Sequence, residues 1–147
     1  MIKNKIAFFG ASVTQQADGY WRYFSMKNTN FIVQNFGHGS MHLNDAGIVF
    51  IDDVLKFEPN YCFIDWFSTG YIEYEKHDFE SMKKYIDAIF YKFLSNNVLT
   101  IFLTFPDISL NSKTNLPVDK KELYKKLNDY IKSWCIPSID LSESFNN

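Results

Sequence analysis

Five short apolar runs, separated by longer segments of helical period, constrain this chain more than any other feature. Residues 6–9, 31–33, 61–66, 99–105 and 136–141 are rich in β-branched and aromatic side chains and are bounded by Asn, Gly or Pro, which is the pattern of strands. Runs this apolar suit strands covered on both faces, as in a parallel sheet, whereas a sheet wet on one side would alternate. Each strand must then return by a crossover, and the intervening segments are long enough to supply one.

Those segments carry the helical spacing. Phe79, Met82, Ile86, Ile89, Phe90 and Phe93 recur at threes and fours, marking one face of a helix with Asp78 as its N-cap. Leu123, Leu127, Ile131 and Trp134 mark another, which begins near Pro117 and Val118 and is stopped by Pro137. A third helix is predicted over residues 44–57 with Ile48, Ile51 and Leu55 inward, and a short one over residues 20–26. The order β-α-β-α-β-α-β-α-β, with right-handed crossovers, predicts an α/β fold: a three-layer α/β/α sandwich around a five-stranded parallel sheet. The flavodoxin-like strand order 2-1-3-4-5 is expected, with ligands beyond the carboxyl ends of the strands near the switch point. Three loops meet there: residues 10–16, 35–44 and 67–71.

The chain of 147 residues is the size of one domain, and its net charge of -2 is spread without a basic stripe, so nucleic acid is not an expected partner. The aromatic share of 18% reads as a Phe- and Tyr-rich core. Cys62 and Cys135 lack metal-ligand or disulfide-framework spacing and read as ordinary reduced residues. The basic start runs straight into the first strand rather than into a signal peptide, and no stretch approaches a membrane span. The expected compartment is therefore the cytoplasm, with no membrane partner. No cofactor or metal is expected: Asp52 and Asp53 lack ligand spacing, and Glu73, Glu75, Asp78 and Glu80 read as a solvated helix start.

The strand-end loops hold the groups that could do chemistry. Ser12 sits on a tight turn after the first strand, in Gly10-Ala11-Ser12-Val13-Thr14, where a hydroxyl is presented by a rigid scaffold. Gly37, in Asn35-Phe36-Gly37-His38-Gly39, lets a second loop approach without a Cβ in the way. Ser68 and Thr69 offer hydroxyls from the third loop, and together these donors could form an oxyanion pocket. His38 and His42 lie in the second loop, as candidate bases or as solvated loop residues, and His77 reads as a surface residue. Asp65, a carboxylate in an apolar strand, must find hydrogen bonds or a cation, and is expected to brace a site loop.

The stretch Phe8-Phe9-Gly10-Ala11-Ser12-Val13-Thr14 resembles the first block of the SGNH (GDSL-type) hydrolases, Gly-Asp-Ser-x-Thr. Val33-Gln34-Asn35-Phe36-Gly37 is similar to their second block, Asn-x-Gly, and residues 58–71 share the frame of the third, Gly-x-Asn-Asp. The resemblance follows nearly the whole chain in strand order, while matching residue by residue only in the first two blocks. It implies that Ser12 is the nucleophile and that Gly37 is an oxyanion donor. Ala11 replaces the family's Asp, and Thr69, with Ser68 beside it, stands where the family has the oxyanion Asn.

What the resemblance implies is a serine esterase or acyltransferase acting on a small acyl ester, with an O-acetylated glycan as the favoured substrate class. The family's Asp-x-x-His block is absent from residues 1–147. The expectation is that the base and a terminal helix lie beyond Asn147. The remainder of a longer chain or a homo-oligomer would then cover the sheet face left open. Two alternatives stand beside it: His38 or His42 as base, and a catalytically inactive SGNH-like module binding at the same rim. A flavodoxin-like phosphate binder is a further reading, weakened by the lack of a Gly-rich fingerprint.

Overall fold

In a computed structural model, which describes residues 3–39, 45–65, 78–104, 118–134 and 137–140, the apolar runs form one five-stranded sheet. Its strands are β1 (Lys5–Gly10), β2 (Ile32–Gly37), β3 (Tyr61–Asp65), β4 (Leu99–Leu103) and β5 (Ser138–Ile139). All neighbours are parallel and the order is β2-β1-β3-β4-β5, as the sequence pattern predicts. The helices are α1 (Ser12–Gln15), α2 (Tyr20–Lys27), α3 (Asp45–Lys56), α4 (Phe79–Leu94) and α5 (Val118–Ser133).

Alternation along the strands sends side chains to two covered faces. Ala7 and Phe9 of β1, Cys62 and Ile64 of β3 and Phe102 of β4 join Ile51 and Val54 of α3, Met82, Ile86, Ile89 and Phe93 of α4 and Leu127 and Ile131 of α5 in one core. Phe8 and Phe63 point the other way and stack at 4.8 Å. There they meet Tyr20 and Phe24 of α2. Burial of each such side chain stabilises the fold by about 1.5–3 kcal/mol relative to exposure. Cys62 is wholly buried in the larger core, which pushes its thiol far above the ordinary range and leaves it inert.

Differences from the predicted boundaries have local causes. β2 runs past the apolar stretch 31–33 to Gly37 because its backbone stays in register with β1, Phe8 opposite Asn35 and Gly10 opposite Gly37. As an edge strand it tolerates the polar Gln34 and Asn35. Among the described side chains of α3 the wholly buried ones are Ile51 and Val54, while the expected Ile48 and Leu55 are only partly covered. The cap of α4 is as read: the Asp78 side chain accepts from the Ser81 N–H at 2.7 Å. That bond holds the Asp78 carboxyl below the usual carboxylate range. The single-turn α1 has no counterpart in the periodicity, being too short to show one. Trp66 and Phe105, read above as the ends of strands, and Cys135 lie outside the described residues. No helix among the described residues is long and apolar enough to cross a membrane.

Candidate functional site

The carboxyl ends of β1, β2 and β3 meet around α1, and the meeting is tight enough to dictate residue types. At Gly10 an added Cβ would lie 2.2 Å from the Asp65 carbonyl oxygen and 2.4 Å from Thr14 Oγ1. At Gly37 it would lie 2.2 Å from the Gln15 nitrogen and 2.5 Å from the Thr14 carbonyl carbon. Only glycine permits backbones this close. The second loop therefore seats directly on the turn that carries Ser12.

Ser12 is the first residue of α1, following Ala11, which caps the turn without a side-chain hydrogen bond. The turn closes through the Gln15 N–H donating to the Ala11 carbonyl at 3.0 Å, and is tied to β3 by the Ala11 N–H donating to the Asp65 carbonyl at 3.3 Å. The amides at the start of such a turn lack intrahelical acceptors.

Two side chains from the neighbouring strands converge on Thr14. Its hydroxyl donates to Asp65 Oδ2 at 2.9 Å, with both residues wholly buried. The same Oγ1 lies 3.1 Å from the Tyr20 hydroxyl. From β2, Asn35 Nδ2 donates to the Thr14 carbonyl at 2.7 Å, while Asn35 Oδ1 accepts from the Gly37 N–H at 2.8 Å. Burial, reinforced by the Asp65 carboxylate, drives the Tyr20 hydroxyl well above its usual range, so it is a neutral donor throughout the working pH range. Through Oδ2, Asp65 thus takes a hydrogen bond from the site turn and braces it, as expected from sequence.

The sequence-predicted site residues fare differently. Ser12 and Gly37 come together: Gly37 pairs with Gly10 and packs on the backbone of the Ser12 turn. The Gly37 N–H, expected to serve an oxyanion, is held by Asn35 in this structure. His38 extends the ladder, its N–H donating to the Gly10 carbonyl at 2.9 Å. Its ring stacks on Phe50 of α3, centroids 4.1 Å apart and planes 21° apart, so it rests against α3 rather than α1. Ser68, Thr69, His42 and His77 lie outside the described residues. Among the described residues no group of three or more His, Cys, Asp or Glu side chains could hold a metal ion.

Sequence reasoning missed Thr14 and Tyr20 as members of this network. A usable signal existed: a threonine two residues after Ser12 and a lone carboxylate in an apolar strand are both polar groups that need a buried partner.

No family model and no curated protein matches the chain. Solved structures do. An acetyl xylan esterase, AlAXEase, superposes with a TM-score of 0.78 at 19% identity, over 96% of this chain and 79% of that one. AlinE4, an SGNH-hydrolase family esterase, gives 0.77 at 12% identity, over 100% of this chain and 81% of that one. The lipase/acylhydrolase from Enterococcus faecalis gives 0.75 at 18% identity, over 96% and 77%. With the strand order and the junction of the first two sequence blocks, these similarities show that the chain has the fold of the SGNH (GDSL-type) hydrolases.

Proposed function

We propose that the chain is a serine ester hydrolase or acyltransferase of the SGNH type, acting on a small acyl ester, with O-acetyl on a carbohydrate as the favoured substrate class. The observation that carries this reading is the seating of Gly37 on the Thr14–Gln15 backbone, which joins the two sequence blocks that resemble the family. In this reading Ser12 attacks the ester carbonyl. The Ser12 N–H, the Thr69 hydroxyl and the neighbouring Ser68 stabilise the oxyanion. Gly37 joins them when its N–H exchanges Asn35 Oδ1 for the developing charge, because a full negative charge is the stronger acceptor. The proton of Ser12 passes to an imidazole. His38 is the described candidate, and its ring would have to leave Phe50 to take that part.

Fluorophosphonate labelling and p-nitrophenyl acetate turnover, comparing the natural chain with Ser12→Ala, test the proposal. Loss of both signals in the variant is expected, and labelling that persists unchanged refutes the nucleophile. Full turnover in His38→Ala removes His38 as the base and assigns the role to an imidazole elsewhere. The competing reading, a catalytically silent module that binds through the same rim, draws on the Gly37 N–H being held by Asn35 rather than open to an oxyanion. It predicts neither labelling nor turnover, together with measurable binding of acetylated xylo-oligosaccharide.

A further inference from the structure

We infer that Thr14 is the positioning residue of the nucleophile turn, the residue at which side chains of β2 and β3 jointly hold α1. The inference deepens the esterase reading and rests on it. α1 is one turn of four residues with no side-chain cap at Ala11, and a helix this short cannot hold its own geometry, because nucleation costs more than one turn returns. Its shape must come from outside: the Ala11 N–H is tied to the Asp65 carbonyl and Gly37 packs on Gln15, while the side-chain contacts meet on Thr14. Asp65 of β3 takes the hydroxyl, Asn35 of β2 takes the carbonyl, and Tyr20 of α2 approaches the same hydroxyl. Ser12 lies two residues earlier in that turn.

Thr14 donates to Asp65 Oδ2, and the Tyr20 hydroxyl, which keeps its own proton, lies against Thr14 Oγ1 and also hydrogen-bonds the Asp65 side chain. The three groups form one buried network in which each bond polarises the next. Asn35 adds the other half: its amide spans the Thr14 carbonyl and the Gly37 N–H, so the turn and the second block move as one body.

The expected consequence is that the hydroxyl of Thr14, rather than its bulk, sets the reactivity of residue 12. Thr14→Val keeps shape and volume while deleting the link. The measurements are kcat and KM for p-nitrophenyl acetate, the second-order rate of fluorophosphonate labelling, and Tm. A misplacement on the order of 1 Å costs about 100-fold in rate. Thr14→Val is therefore expected to lower kcat and the labelling rate about 100-fold with KM unchanged within about three-fold. Thr14→Ser, which restores the hydroxyl, is expected to recover both to within about five-fold of the natural chain. A folded Thr14→Val labelled at the natural rate overturns the inference. Should Thr14→Val not fold, Tyr20→Phe carries the test: one lost link predicts about a five-fold slower label, and an unchanged rate is again fatal. Ser12→Ala separates the two levels. Labelling that survives in it defeats the esterase reading itself. Labelling lost there but unaffected by Thr14→Val and Tyr20→Phe defeats only the role of Thr14.

Discussion

Substituting Gly37 with alanine places a methyl group where the structure holds backbone. The new Cβ would lie 2.2 Å from the Gln15 nitrogen, so α1 and β2 must separate by about 1.2 Å to reach the 3.4 Å of an ordinary contact. Neither partner is a flexible side-chain end, and α1 is pinned by Asn35 and Asp65. Overpacking of this kind costs about 1–3 kcal/mol. In a domain of this length that lowers Tm by about 2–10 °C. The same displacement moves residue 12, and about 1 Å of misplacement predicts a fall in the fluorophosphonate labelling rate of about 100-fold. Gly39→Ala is the matched control, because its Cβ would meet only Gln15 Oε1, at 2.6 Å, the free end of an exposed side chain. That end can swing away, so stability is expected within about 0.5 kcal/mol of the natural protein. Thermal unfolding followed by circular dichroism, paired with labelling at 25 °C, reads both effects. A Gly37→Ala protein that melts and labels like Gly39→Ala would refute the close approach and the geometry built on it.

Three other outcomes follow from the packing, the backbone conformation and the α4 cap. Phe93→Ala, at a wholly buried position between α4 and the sheet, is expected to cost about 3–5 kcal/mol by urea unfolding, and a loss below about 1 kcal/mol would contradict the packing. Glu58 holds φ at 55° just past α3, a left-handed conformation that favours glycine. Glu58→Gly is therefore expected to gain about 0.5–1 kcal/mol in thermal unfolding, after loss of its exposed 3.4 Å pair with Lys5. The Asp78 carboxyl is held below its usual range, so its cap contributes fully above the unfolded-state pKa near 4 and is lost as pH falls through the lower folded value. Asp78→Asn keeps an acceptor without that titration, so its stability should vary less across this acid window than that of the natural chain. An identical pH profile in the two proteins would count against the cap.

The sequence by itself determined the layered architecture. Apolar runs of strand length, alternating with faces of helical period, allow few arrangements besides a parallel sheet covered on both sides, and the flavodoxin-like order was the preferred one among those that right-handed crossovers permit. It also announced Asp65 as a buried carboxylate owed a partner, and placed Ser12 and Gly37 at neighbouring strand ends. Only the tertiary structure decided which groups answer one another. Thr14 and Asp65 are 51 positions apart, and Asn35 and Thr14 are 21 apart, distances over which no local pattern carries information. The His38 ring, read from sequence as a loop group near Ser12, instead stacks on Phe50. A side chain just past a strand end goes where apolar surface is offered, and α3 offers it. The Gly37 N–H, by contrast, is answered locally, by the Asn35 side chain two residues before it.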